Sequence, residues 1–406
     1  MRLIISLAAL FLSTILLQLS SGGVAPLDAL SGIQGGFTTT EVGILGSSHF
    51  LGFFVGCWWA PRLMGDVGHS RAFAVFTALG AIGILAHMMW VDPNAWAVMR
   101  AMTGLCVAGC YTVIEAWMNA RLTKSNRGRV MGAYRIVDLG GSLAAQMMIS
   151  VLEPAAYLSY NLLAILCCAS ILPLALTRSS PPETSAAPRL RPMLAVRLSP
   201  LAAAGVITSG LTSSSFRMVG PVYGLEVGLS ADQIALFLSS FILGGAAAQF
   251  PVGWLADKYD RRWVLIWLSI GAILTSVGSV TLGTGSPGAV FAAAFLFGIC
   301  TIPIFSVSTA HGNDFAQIEE MVELSAAFMF LYAIGAIASP LISAALIQYY
   351  GPASLFLFIA GAHVILSGFS LFRMRRRPTL AERTDYEYTP RTTFILGRLM
   401  KRRRDE

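Results

Sequence analysis

Apolar stretches of about twenty residues recur along this chain, each bounded by a short break of polar, Gly or Pro residues. They run at 3–30, 42–61, 72–91, 96–120, 129–152 and 156–177, and then at 199–224, 231–256, 263–283, 287–311, 323–347 and 352–373. A helix of about 20 apolar residues crosses the hydrocarbon core of a bilayer. The pattern therefore predicts an all-α membrane protein of twelve transmembrane helices in two six-helix bundles, residues 1–177 and 198–373. Between them, 178–197 is rich in Pro, Ser and Ala with no apolar period, which predicts a flexible cytoplasmic linker. Residues 374–406 form a basic tail. The first stretch has the look of a cleaved secretory signal, but it stays apolar to about Leu30 and completes the first bundle, so it reads as a helix.

Composition narrows the class. Of 406 residues only 12% are charged and 55% are hydrophobic, with a mean hydropathy of +0.68, against about 25% charged in soluble domains. An ordinary soluble enzyme is excluded. The net charge of +7 matters through its placement. With the N-terminus in the cytoplasm, every Lys and Arg except Arg100, Arg135 and Arg217 falls at the N-terminus, in an inner loop, in the linker or in the tail. Both termini are therefore expected in the cytoplasm. The inner loop from Asn313 to Glu323 is acidic, which hardly enters that rule. Arg375 to Arg377 and Lys401 to Arg404, beside the last helix, read as an anchor for anionic lipid headgroups rather than a nucleic-acid patch. The six cysteines lie inside apolar runs without metal-ligand spacing, as small core or lipid-facing residues do. No nucleotide-binding loop and no H-E-x-x-H string is present, so no ATP-driven pump, enzyme, metal or cofactor is expected.

The two blocks superpose at an offset near 195 residues, placing Gly104 and Cys106 on Gly298 and Cys300, and Gly140 on Gly335. Parallel repeats of six helices are one way to build a solute site at mid-membrane.

The most specific string is PVGWLADKYDRR, 251–262, in the short inner loop after the eighth helix. It resembles the loop signature of the major facilitator superfamily, G-x-L-A-D-[KR]-x-[GD]-R-[RK]. By residue type, Gly253 permits close helix contact, Asp257 can accept hydrogen bonds or meet a helix N-terminus, and Arg261 and Arg262 are expected to face the cytosol. The resemblance implies a cytoplasmic gate in which Asp257 and its basic neighbours hold the inner ends of helices together in the outward-open state. The matching first-half loop, APRLMGDVGHSR at 60–71, has Gly65 at the acid position and Asp66 one residue late. VIEAWMN at 113–119, GPVYGLEVGLS at 220–230 and AHGNDF at 310–315 are similar to the YcaD-like bacterial group of that superfamily. Arg100-x-x-x-Gly104 resembles a fourth-helix motif of its proton-coupled members. VDLGGS at 137–142 lacks the Gly-Pro signature of drug/proton antiporters.

Charged groups within spans cost about 2.5–3.5 kcal/mol each on insertion scales and normally face a bundle interior or an aqueous cavity. They are the site candidates. Thr14, Gln18, Ser21 and Asp28 share one face of the first helix; Arg100, Gly104, Tyr111 and Glu115 share one of the fourth; Arg135, Asp138, Ser142 and Gln146 share one of the fifth. Glu115 and Arg135 lie at similar depth, predicting an ion pair that is either a structural clamp or a solute contact. Asp28 and Arg100 are placed to meet near the outer side, unless Asp28 is only a helix-end acid in headgroup water. Asp138 is either a pathway acid or a neutraliser of Arg135. Arg217, with no acid within a helix turn, is the candidate for gripping an anionic or polar solute, or else pairs with Glu226 or Asp28. His49 sits among Gly46, Gly52 and Gly56, either as a packed core residue or a pH-sensing one. His311 reads as a helix-end residue, and His87 and His363 as packing.

These expectations describe a secondary transporter of a small polar solute, monomeric, in a bacterial inner membrane. It works by alternating access with protons as the candidate coupling ion and uniport as the alternative. A membrane sensor or an intramembrane enzyme fits less well.

Overall fold

The computed structural model describes residues 2–119, 127–176, 190–282, 286–317 and 320–376. Among these there is no strand. The helices are α1 (Arg2–Gln34), α2 (Thr39–Val67), α3 (His69–Ala86), α4 (Pro93–Asn119), α5 (Arg127–Met147), α6 (Tyr157–Ala169), α7 (Leu172–Ala175), α8 (Pro192–Leu198), α9 (Pro200–Glu226), α10 (Ala231–Lys258), α11 (Arg261–Leu282), α12 (Pro287–Thr301), α13 (Ile304–Asn313), α14 (Met321–Tyr350) and α15 (Ala353–Arg376).

Each expected span is met by a helix. The sixth is interrupted between α6 and α7, and the tenth between α12 and α13, next to Pro303. Pro303 has no N–H to continue the helix ladder. Ten helical segments among the described residues are long and apolar enough to cross a membrane. The two that fall short in apolarity are α5, which carries Arg135 and Asp138, and α9, which is rich in Gly, Ser and Thr. Their polarity is the reason, since both are long helices of 21 and 27 residues.

The chain forms two compact units, Met1–Ala187 and Pro188–Glu406, so the boundary falls inside the expected linker. The end of that linker is ordered, contrary to expectation: α8 packs on α14, and Arg191 pairs with Glu323 at 3.1 Å. Ala195 is fully buried there, and that apolar contact fixes the segment. The start of the linker, the inner loop with Arg121 and Lys124, and the tail beyond 376 lie outside the described residues.

Local chemistry repeats between the units. Gly36 and Gly228 turn the chain with φ of 85° and 82°, a region that costs glycine nothing. Thr38 with Glu41 and Ser230 with Gln233 then form reciprocal capping boxes at the starts of α2 and α10. These matches set an offset of 192 for α1/α9 and α2/α10. Glycines bring backbones together at matching points: a Cβ on Gly52 or Gly104 would strike the carbonyls of Ala101 or His49. One on Gly244 or Gly298 would strike those of Phe295 or Phe241. Gly210 and Gly335 do the same between α9 and α14, against Tyr332 and Ile207. The corresponding pair in the first unit, α1 and α5, meets through side chains instead: a Cβ on Gly141 would come within 2.9 Å of the Gln18 Cβ, and one on Gly22 within 2.8 Å of the Ala145 Cβ. Large apolar side chains such as Leu158, Ile165, Phe250 and Ile365 are left exposed, as expected where the surrounding solvent is lipid.

Candidate functional site

The ends of α1, α3, α4 and α6 bring four polar side chains together inside the first unit. Asp28, one to two turns before the end of α1, is 2% exposed. Its Oδ2 lies 3.3 Å from Arg100 Nε and 3.4 Å from His87 Nε2, and its Oδ1 accepts the Tyr160 hydroxyl at 2.9 Å. Arg100, His87 and Tyr160 are all buried. The rings are held by one another: His87 stacks on Tyr160 at 5.3 Å between centroids and 16° between planes. Trp96 packs against both and donates its indole N–H to the His87 carbonyl at 2.8 Å.

The His87 tautomer follows from these neighbours. Nδ1 is 2.7 Å from the Gly83 carbonyl, which can only accept, so Nδ1 carries the proton. Nε2 of a neutral ring then turns a lone pair toward a carboxylate oxygen. That arrangement is repulsive unless a proton lies on one of the two, on the imidazole or on Asp28. Neither His87 Nε2 nor Asp28 Oδ2 has a hydrogen-bond partner elsewhere.

Nearer the middle of the same unit, Asp138 on α5 accepts from Gln18 Nε2 and from the Tyr111 hydroxyl, each at 2.8 Å. Arg135 Nη1 lies 3.8 Å from its other oxygen, and both charged groups are about one-fifth exposed. Asp138 thus lies within ion-pair reach of Arg135, and it also ties α5 to α1 and α4. Glu115 is buried and accepts the Tyr134 hydroxyl at 3.3 Å. The Glu115–Arg135 pair stays an expectation; the contacts described at its two ends are these. His49, 8% exposed, places Nδ1 3.5 Å from Thr103 Oγ1. It borders a small cavity together with Ser20, Ser21 and Arg100.

In the second unit, Arg217 is exposed on a helix whose residues 212–216 and 218–224 are buried, and it pairs with none of the described acids of its own unit, Glu226 included. His363, assigned to packing by the sequence, sits between Thr212 Oγ1 at 3.1 Å and Ser269 Oγ at 3.4 Å.

The gate motif departs from expectation at its arginines. Arg261 is 1% exposed and Arg262 7%, so neither faces the cytosol. Arg261 donates to the Ala310 carbonyl at 2.9 Å and to Asp314 at 2.6 Å, and reaches Asp257 at 3.3 Å. It thereby ties the junction of α10 and α11 to the end of α13, where unpaired carbonyls and the helix dipole favour a cation. Arg262 is clamped by Asp260 at 2.7 Å. Asp257 is half-exposed and Gly253 is buried. His311 lies 3.9 Å from Asp314, at the helix end where the sequence put it.

The Asp28–Arg100 contact was legible in the sequence; His87 and Tyr160 were missed. The signal that points to His87 is its place near the outer end of the third span, level with Asp28 and Arg100. Among the described residues no group of His, Cys, Asp or Glu is placed to hold a metal ion.

The internal repeat supplies a comparison within the chain. At an offset of 192, Asp28 corresponds to Gly220. Taking Gly104 onto Gly298, Arg100 corresponds to Ala294. Taking the turns at Ala155 and Gly351 as equivalent, with φ of 56° and 83°, Tyr160 corresponds to Phe356. In the second unit this region is an aromatic stack of Phe216, Tyr223, Phe237, Phe297 and Phe356. The scaffold closes without the charges, so their presence in the first unit is not a requirement of folding.

The sequence profile of the Major Facilitator Superfamily matches residues 201–404. An uncharacterised MFS-type transporter YcaD of Escherichia fergusonii is 28% identical over 329 residues, 80% of this chain and 85% of that protein. An uncharacterised MFS-type transporter of Yersinia pestis is 27% identical over 354 residues, 87% of this chain and 89% of the relative. Among solved structures, the nucleoside transporter NupG aligns with a TM-score of 0.74 at 15% identity, covering 93% of this chain and 100% of its own. A bacterial homologue of the human lysosomal transporter Spinster, inward-facing and unoccupied, aligns at 0.73 with 14% identity, covering 91% and 96%.

Proposed function

The chain belongs to the major facilitator superfamily, and on that basis we propose that this multi-pass inner-membrane transporter moves its small-molecule solute by alternating access, coupled to protons at Asp28. The observation that carries the reading is the 3.4 Å approach of His87 Nε2 to Asp28 Oδ2 with His87 Nδ1 already committed to Gly83. The pair has a place for one proton, and Arg100 at 3.3 Å supplies a counter-charge when that proton leaves. A buried ion cluster costs desolvation, and the second unit does without it. Retaining it in the first unit fits a role in the transport cycle.

Arg217, exposed and without an acidic partner, grips a polar or anionic group of the solute. Asp138, Arg135 and Glu115 are the polar contacts nearer mid-membrane. Asp257, Arg261 and Arg262, with Gly253 giving close approach, form the cytoplasmic gate. The twelve-span topology with both termini inside, a monomeric state and the anchoring of the basic tail to anionic headgroups complete the reading, supported by the distribution of Lys and Arg.

The test is lumenal pH in proteoliposomes given candidate solutes one chemical class at a time. It compares wild type, Asp28→Asn, and Asp28→Asn combined with Arg100→Gln, which leaves no orphaned charge. A solute-dependent pH change lost in both variants, with solute counterflow retained, is the expected result. Solute flux in the wild type with no pH change would establish uniport or another ion and overturn the coupling.

A further inference from the structure

We propose that the cavity in the first unit bordered by Ser20, Ser21, His49, Arg100 and Thr103 is a water-binding site, whose single water joins the Arg100 guanidinium to the His49 imidazole. The cavity is big enough for about one water molecule, and such a site needs two to four polar partners. Ser20, Ser21 and Thr103 offer three hydroxyls, and Arg100 and His49 a guanidinium and an imidazole, from which those partners come. Ser20 is the most telling: the residue is 1% exposed, and the protein offers its hydroxyl only the Cys167 thiol, a weak hydrogen-bonding group. A hydroxyl so placed at the edge of a cavity costs free energy unless a water meets it.

The repeat again gives the comparison. Val24, His49 and Thr103 all border the cavity. Their counterparts are Phe216, Phe241 and Phe297, whose rings pack together with centroids 4.2 Å apart for Phe216 and Phe241 and 5.4 Å for Phe216 and Phe297. The second unit fills with three phenyl rings the volume that the first keeps open, with its polar groups set among a mainly apolar lining. Ser20 and Ser21 correspond to Thr212 and Ser213, and Thr212 already has His363 as its partner. The open cavity with polar side chains at its edge is thus particular to the unit that holds Asp28 and Arg100.

The role of the water rests on the coupling proposed above; its presence does not. When Asp28 is protonated, Arg100 loses its counter-ion, and the water backed by His49 and the serines gives the guanidinium an acceptor within the fold. His49 is then a positioning residue for Arg100.

X-ray radiolytic footprinting in ¹⁸O-water tests occupancy directly. Cys106 and Cys167 border the cavity and are each 2% exposed; Cys57 is also 2% exposed but does not border it. The three share one chemistry, so their labelling ratio reads local water. Labelling of Cys106 and Cys167 should exceed that of Cys57 several-fold. It should fall to the Cys57 level in a His49→Phe, Thr103→Phe variant, which copies residues the second unit already accommodates. Equal labelling of all three in the wild type overturns the site. Should that variant fail to fold, a density map resolving ordered water must show a peak between Ser20 and Arg100, and a map without one also overturns it. A labelled cavity with pH-silent solute flux would retire the coupling and leave the site standing. A dry cavity with intact coupling would retire the site alone.

Discussion

Replacing Asp28 by Asn leaves Arg100 with its charge and without the carboxylate that opposes it. At 3.3 Å and an effective dielectric constant of about 20, the lost attraction is about 5 kcal/mol. Arg100 is 1% exposed, so bulk water cannot replace it, and a single cavity water supplies a dipole rather than a charge; breaking a buried pair from one side typically costs about 3–5 kcal/mol. His87 and Tyr160 recover little of that, because Asn offers the tyrosine an acceptor but gives Arg100 no charge. For a unit of this size each kcal/mol moves the unfolding midpoint by about 2–4 °C, so a fall of about 6–20 °C is expected. The assay is the apparent Tm of purified protein in one detergent at one scan rate, for wild type, Asp28→Asn, Arg100→Gln and the double variant. The double variant removes both charges and should regain at least half of the loss, since the second unit shows that the scaffold closes over apolar residues there. An Asp28→Asn protein as stable as wild type, or a double variant no more stable than Asp28→Asn, would refute the reasoning.

Three further outcomes follow from the packing and the gate. Gly104→Ala puts a methyl group into the His49 carbonyl and should cost about 1–3 kcal/mol, seen as a reduced monodisperse fraction in fluorescence size-exclusion; Gly278→Ala, which meets nothing within 4 Å, should be neutral. Arg261→Ala should lower the apparent Tm by the equivalent of about 3–5 kcal/mol. Arg261→Lys should restore only part of that, because an ammonium cannot serve Asp257, Asp314 and the Ala310 carbonyl in the geometry a guanidinium spans. Arg217→Gln, at an exposed position with no acid in contact, should leave Tm within about 0.5 kcal/mol of wild type while abolishing solute counterflow. Counterflow that survives would remove Arg217 from the solute site.

The helices were legible because their burial is in lipid as well as in protein: a run of twenty apolar residues is a signal that side-chain packing hardly modifies. At α5 and α9 the apolar signal is weakest, and the same polarity that weakens it is what makes these helices candidates for function. Asp28 and Arg100 could be matched because both are charges at one depth. His87 could not, because an imidazole reads equally well as packing until its Nδ1 is seen committed to Gly83. The burial of Arg261 was hidden for a different reason. Its partners, Asp314 and the Ala310 carbonyl, lie some fifty residues further along the chain, and a motif read along the chain places its arginines by sequence position rather than by the helix end they cap.

The contrast between the glycine crossings has a mechanical consequence. Helices welded backbone to backbone, as α9 and α14 are at Gly210 and Gly335, behave as a single stiff beam, since any slide must unseat every contact at once. In α1 the position matching Gly210 is Gln18, which holds α5 through side chains, its stem against Gly141 and its amide on the Asp138 carboxylate. A joint of that kind is a latch: it can release one partner, accept another and re-engage without disturbing the rest of the bundle. The compliance of the first unit is therefore unevenly distributed, with slack concentrated along the seam of α1 and α5 that carries Asp138. Chemical change at Asp138 acts where that framework yields most.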